Sequence, residues 1–110
     1  MCGFVGFYDS SGSMENIAEV VHRAANTLRH RGPDDEGEWT DAEARIALGH
    51  RRLSVIDLSA EGRQPMVSSC GRYVIAYNGE IYNYRDLADE LRKETGVRFR
   101  GSSDTEVFLA

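Results

Sequence analysis

Strand-like runs follow one another in this chain without helices between them, and that order restricts the fold more than any other feature. The first helical spacing of apolar residues is Ile17, Val20, Val21, Ala24, Ala25 and Leu28, one face of an amphipathic helix. Ser13 is its expected N-cap, Glu15 suits its positive end, and Arg29, His30 and Arg31 suit its negative end before Gly32-Pro33 stops it. Ahead of it, Cys2 to Tyr8 is apolar and aromatic and reads as a strand, with Gly3 and Gly6 where a backbone or ligand can approach closely. After it, Glu36 to Thr40 and Arg45 to His50 form an expected strand pair around Asp41 to Ala44. Arg52 to Leu58 either prolongs the second of these or forms an irregular loop, and Ala60 to Met66 is loop.

Arg72 to Tyr77 is a further strand, Asn78-Gly79 a tight turn, and Glu80 to Tyr82 a short return strand. Asn83 is placed to cap a helix that buries Tyr84, Leu87, Ala88 and Leu91 and ends at Gly96. Val97 to Arg100 reads as a short strand. Ser103 and Glu106 then form a capping box for a last helix, which the sequence leaves within about two turns. Strands in runs, not in strict alternation with helices, favour an α+β fold. The chain is expected to be a fragment of a longer protein.

Composition excludes several classes of partner. The 110 residues suffice for one domain, and 41% hydrophobic with 28% charged residues is ordinary for a globular protein. A net charge of −5 argues against nucleic acid and anionic membrane, which call for a basic surface. No stretch approaches the roughly 20 apolar residues of a membrane span. The opening residues lack the charged start and cleavage site of a signal peptide. A cytoplasmic location is expected, with Cys2 and Cys70 as free thiols. The histidines and cysteines show no metal-ligand spacing, so no metal is expected here. Cys70 reads as incidental.

Cys2 directly follows the initiator methionine. Removal of Met1 would give one residue both a thiol and a free α-amine. An α-amine with a pKa of about 8 is partly neutral near neutral pH and can take the thiol proton. It can later protonate a leaving amine, so nucleophile and general base would share one residue. By itself position two carries little weight, and Cys2 reads more readily as a small apolar residue opening a strand.

Three further stations bear on that choice. Arg52 ends an apolar strand, and its guanidinium can hold a carboxylate through two parallel hydrogen bonds, or simply face solvent. Asn78-Gly79 is a hairpin signature, but the Gly79 amide and the Asn78 side chain can also form an oxyanion hole. Glu80 could then face an ammonium group. Asp104 suits a helix start, or a counter-charge to a bound ammonium. Together these residues suit a free amino acid with a side-chain amide, which is glutamine where ammonia is the product.

Several motifs carry a family resemblance. Met1-Cys2-Gly3-Phe4-Val5-Gly6 resembles the start of class II glutamine amidotransferases, within the N-terminal-nucleophile hydrolases. Leu28-Arg29-His30-Arg31-Gly32-Pro33-Asp34, Gly49-His50-Arg51-Arg52-Leu53-Ser54-Val55-Ile56-Asp57 and Gln64-Pro65-Met66 are similar to segments of glutamine-hydrolysing asparagine synthetases. So are Tyr77-Asn78-Gly79-Glu80-Ile81-Tyr82-Asn83 and Ser103-Asp104-Thr105-Glu106. The match runs over nearly the whole chain.

The resemblance implies residue roles. Cys2 is the nucleophile, and Arg52 with the Val55 backbone binds the glutamine carboxylate. Asn78 and Gly79 form the oxyanion hole, and Glu80 and Asp104 bind the amino group. No catalytic role falls to Arg31 to Asp34. The implied reaction is hydrolysis of L-glutamine to L-glutamate and ammonia through a glutamyl thioester.

The resemblance also implies what lies beyond these residues. Residues 1–110 would be the N-terminal part of a glutaminase domain, a four-layer αββα sandwich roughly twice this length. The synthetase domain of the same polypeptide is absent. That domain would use ATP and Mg2+ to amidate aspartate as a ligase in asparagine biosynthesis, in a parent expected to form a homodimer. Two other readings stay open: a different ammonia acceptor, such as a sugar or antibiotic precursor, and a non-catalytic regulatory module. A part sandwich would expose sheet edges and apolar faces, so the fragment alone is expected to be unstable and inactive.

Overall fold

A computed structural model describes residues 1–54 and 59–110. Val55, and the remainder of the expected loop or strand extension up to Leu58, lie outside the described residues. Strand β1 (Gly3–Tyr8), helix α1 (Ile17–Asn26), β2 (Asp35–Asp41) and β3 (Ile46–Arg52) come first. A 3-10 turn (Ala60–Gly62), β4 (Met66–Val67), β5 (Val74–Ile75), α2 (Tyr84–Thr95) and α3 (Asp104–Leu109) follow. The architecture is α+β with antiparallel sheets, as the order of runs predicts.

The main sheet has the order β1-β3-β2, both pairings antiparallel. Alternation along β1 turns Val5 and Phe7 toward α1, where Ile17, Val21 and Ala47 form the buried cluster. Small residues let the helix come close. A Cβ on Gly49 would meet Ala25 Cβ at 3.0 Å and Val21 Cγ1 at 3.3 Å. Phe4 and Tyr8 point to the opposite face and stay exposed, at 52% and 68%. The second sheet is the short antiparallel pair β4-β5.

Several local expectations fail, most of them where a side chain takes the backbone groups in question. Helix α1 is capped by Asn16, whose side chain accepts from the Glu19 amide, and not by Ser13. The Asp9 carboxylate holds the preceding loop by accepting from the amides of Gly12 and Met14, which delays the helix start. The strand expected over Arg72 to Tyr77 shrinks to Val74–Ile75. No return strand forms at Glu80 to Tyr82, because the Ile81 amide donates to Asp104 Oδ2 at 2.8 Å. Val97 to Arg100 is likewise not a strand: the amides of Arg100 and Gly101 donate to the Glu106 carboxylate.

Helix α1 also ends early, at Asn26. Thr27 is its C-cap and donates back to the Ala24 carbonyl, so Leu28 and the cluster Arg29, His30 and Arg31 lie in the turn that follows and not in a helix reaching Gly32-Pro33. The remaining helix signals are closer to expectation. Gly96 closes α2 in the left-handed conformation, at φ 70°. Asn83 sits at its N-cap position but makes no capping hydrogen bond with its side chain. The Ser103 hydroxyl accepts from the Glu106 amide, so one half of the predicted capping box is formed. The Glu106 carboxylate reaches past Ser103 to the two preceding amides.

Candidate active site

The sheet register places the first two stations side by side. Gly3 opposes Arg51 in the β1-β3 pairing, so Cys2 lies where β3 runs out at Arg52 and Leu53. The Leu53 amide donates to Cys2 Sγ at 3.3 Å, and the thiol faces the Leu53 carbonyl at 3.5 Å. Cys2 is half-buried.

Arg51 and Arg52 are adjacent in sequence and face opposite sides of the strand. Arg51 is committed to the structure: it pairs with Glu36 and donates through Nε to the Gly32 carbonyl at 3.3 Å. Arg52 is buried, at 7% exposure, so it is no solvated surface arginine. Its Nη1 donates to the Ser59 carbonyl at 2.9 Å, and its guanidinium lies where a Cβ on Gly62 would have to be. Among the described residues no carboxylate pairs with it. The Asp35 carboxylate feels the Arg52 charge without pairing with it, so the guanidinium fork could still take an incoming carboxylate.

Asn78 and Gly79 follow β5 but do not make a hairpin. The Tyr77 amide donates to Gln64 Oε1 at 2.6 Å, and His50 Nε2 donates to the Tyr77 carbonyl at 3.1 Å. With Ile81 held by Asp104, the segment is fixed at both ends by side chains. Asp104 is buried at the first turn of α3, but its carboxylate serves the Ile81 amide.

Six residues from four separated places in the chain therefore meet. Cys2, Arg52, Asn78, Gly79, Glu80 and Asp104 line one cavity of about 420 Å³. That volume lies within the range of small-molecule sites. Met1 lines the same cavity, so its removal would both enlarge the cavity and free the Cys2 amine. Val55 lies outside the described residues. Cys70 is exposed, hydrogen-bonded to Ser68, and does not line this cavity. Among the described residues, no group of three or more His, Cys, Asp or Glu could hold a metal ion, and no helix is long and apolar enough to cross a membrane.

A glutamine amidotransferase domain family model matches residues 1–110. The chain belongs to the glutamine amidotransferase domain family. This amidotransferase chain is 42% identical over 111 residues to asparagine synthetase [glutamine-hydrolyzing] 3 of Bacillus subtilis strain 168. That alignment covers 99% of the chain and 17% of the relative. A putative glutamine-hydrolysing asparagine synthetase of Mycobacterium tuberculosis is 38% identical over 122 residues, covering 100% of the chain and 19% of the relative. Amidase chry2 of Gibberella zeae is 34% identical over 119 residues, covering 100% of the chain and 17% of the relative. The amidotransferase chain thus spans under a fifth of the length of these relatives.

The sequence assigns no role to His50, Gln64 or Thr105, though all three lie inside its motifs. His50 is 1% exposed. Burial holds its pKa below the ordinary value and outweighs the bond to the Tyr77 carbonyl, which raises it; the smaller charge effects of Arg52 and Asp35 oppose each other. Neutral imidazole must then carry its proton on Nε2, since the Tyr77 carbonyl only accepts. Nδ1 has no partner among the described residues.

A pH dependence follows with a definite sign. His50 stays neutral when folded but takes up a proton near pH 6.5 when unfolded. Its contribution to stability is whole above that pH and is lost as pH falls toward the depressed folded value. Exposed His22, raised by its bond to Glu38, works in the opposite direction. Urea midpoints between pH 7 and 5 are expected to fall less steeply for His50→Gln than for wild type. Parallel slopes would contradict the buried neutral imidazole.

Proposed function

We propose that residues 1–110 are the N-terminal part of a glutaminase domain that hydrolyses L-glutamine to L-glutamate and ammonia through Cys2. The observation that carries this reading is the convergence of Cys2, Arg52, Asn78, Gly79, Glu80 and Asp104 on one cavity. In the proposed pose, Arg52 takes the α-carboxylate in its fork, and Glu80 and Asp104 take the α-ammonium. The side-chain amide then lies at Cys2.

With Met1 removed, the α-amine accepts the Cys2 thiol proton and the thiolate attacks the amide carbon. The Asn78 side chain and the Gly79 amide stabilise the resulting oxyanion. The C–N bond breaks, the protonated α-amine supplies the leaving group with its proton, and ammonia departs from a glutamyl thioester. The amine then activates water, which attacks the thioester carbonyl, and glutamate leaves as the thiol is restored.

The reading extends to the whole polypeptide. The glutaminase domain would be completed as an αββα sandwich, the second sheet covering the face that carries Phe4 and Tyr8. Ammonia would pass to a synthetase domain of the same chain that amidates aspartate with ATP and Mg2+. The relatives' names favour asparagine as product, while the amidase among them keeps a second acceptor in view. The described residues of this chain form no site for the metal, and no step above involves it.

Covalent labelling tests the reading. A glutamine analogue with a diazoketone in place of the amide is expected to alkylate Cys2 and leave Cys70 unmodified, as read by peptide mass spectrometry. Excess glutamine is expected to protect Cys2. Equal labelling of both thiols, or no protection, would contradict a glutamine site at Cys2.

A further inference from the structure

We infer that Gln64 is the positioning residue of the oxyanion hole, acting through Tyr77; this rests on reading Asn78 and Gly79 as the oxyanion donors. Gln64 is buried, at 8% exposure, and both ends of its side-chain amide are engaged. Oε1 accepts from the Tyr77 amide at 2.6 Å, and Nε2 donates to Thr105 Oγ1 at 3.1 Å. The orientation is fixed by chemistry: the Tyr77 N–H can only donate, so the oxygen must face it. One side chain therefore ties the residue before Asn78 to the residue after Asp104. The group that would meet the developing oxyanion and the group that would meet the substrate ammonium are held in one frame.

The frame is anchored on the main sheet. Gly37 opposes His50 in the β2-β3 register, so their side-chain directions share a face. His50 uses that face to reach the Tyr77 carbonyl at 3.1 Å. Gly37 leaves its share of the face empty, and the Gln64 backbone carbonyl fills the place of a Cβ. One clamp on Tyr77, at its carbonyl, thus rises from this rung of the sheet, and the other, at its amide, comes from a residue whose backbone packs on the same rung. Tyr77 has no freedom to rotate its peptide groups without breaking a bond to a buried side chain. Preorganised donors act on the transition state without reorganising, and that is what such a clamp provides.

Positioning predicts a selective kinetic signature in the complete polypeptide. Gln64→Leu removes both bonds at similar volume and is expected to lower kcat for glutamine about 10- to 100-fold with little change in KM, since the loosened donors matter only in the transition state. Gln64→Glu keeps an acceptor for the Tyr77 amide and is expected to recover part of that kcat. Affinity for the aldehyde analogue of glutamate, which forms a thiohemiacetal on Cys2, is expected to fall in step with kcat, while affinity for glutamate itself holds. Ammonia-dependent activity reports that the rest of the protein is folded and is expected to be unchanged.

Two results would overturn the inference: unchanged kcat in Gln64→Leu, or a loss confined to KM. If Gln64→Leu does not fold, Thr105→Val decides, because it removes only the Thr105 bond. A several-fold drop in kcat with aldehyde affinity falling in parallel supports the inference, and wild-type kinetics overturns it. Asn78→Ala separates the two levels of the argument. A collapse of kcat in Asn78→Ala beside wild-type kinetics in Gln64→Leu rejects the positioning role alone. Wild-type kinetics in Asn78→Ala rejects the oxyanion-hole reading and the positioning role with it.

Discussion

Replacing Cys2 with alanine is expected to abolish glutamine-dependent product formation in the complete polypeptide while ammonia-dependent formation continues. The loss is expected to reach at least about 10⁴-fold, the order found when a covalent nucleophile is removed. The reason is local. Cys70, the other cysteine of these 110 residues, is exposed and outside the cavity, so it cannot substitute. Cys2 is held at the end of β1 by contacts to the Leu53 backbone, which alanine does not need in order to form the strand. Parallel rate assays with glutamine and with ammonium salt check this. Equal loss in both would indicate a folding defect, and equal retention would remove Cys2 from the mechanism.

The second large effect is expected at Arg52. Arg52→Lys keeps the charge and loses the planar fork, and Arg52→Ala loses both. KM for glutamine is expected to rise about 100-fold or more in Arg52→Ala, the consequence of removing roughly 3 kcal/mol of buried ion pairing. Arg52→Lys is expected to fall between alanine and wild type. A Gly62→Ala change pushes a methyl group into the guanidinium and is expected to act in the same direction. Steady-state kinetics with glutamine and with ammonia separates this from global damage. An unchanged KM in Arg52→Ala would mean the carboxylate binds elsewhere.

The parts of the fold carried by local pattern were legible in the sequence. The run from Cys2 to Tyr8 and the stop at Gly96 formed where periodicity and backbone chemistry put them, and the apolar stripe beginning at Ile17 formed a helix that ends at Asn26, short of Leu28 and of the Gly32-Pro33 stop. The misplaced elements share one cause. Asn78-Gly79 carries a strong hairpin signal, but a hairpin needs free backbone groups. Here the amides of Tyr77 and Ile81 and the Tyr77 carbonyl are taken by Gln64, Asp104 and His50. The same competition removes the strand before α3, where Glu106 takes two amides. These partners come from distant positions, and no local rule reports them.

The candidate site divides along the same line. Cys2, Arg52, Asn78, Gly79, Glu80 and Asp104 stand out in the sequence because each residue type suits one group of an amino-acid substrate. The cavity adds that they meet. His50 and Gln64 were not legible as contributors, since a histidine on a strand and a glutamine before a proline carry no signal of their own. Their place depends on the rung shared by Gly37 and His50, which exists only once β2 pairs with β3.

The most direct test of the central claim is the covalent intermediate itself. The complete polypeptide, with Met1 removed, is mixed with glutamine and quenched in acid within the first turnovers, and its N-terminal peptide is weighed. The account predicts a peptide beginning at Cys2 that carries one added glutamyl group, and no such addition when Met1 is retained. Turnover of glutamine with an unmodified Cys2 peptide at every quench time, or equal turnover with Met1 in place, would contradict it.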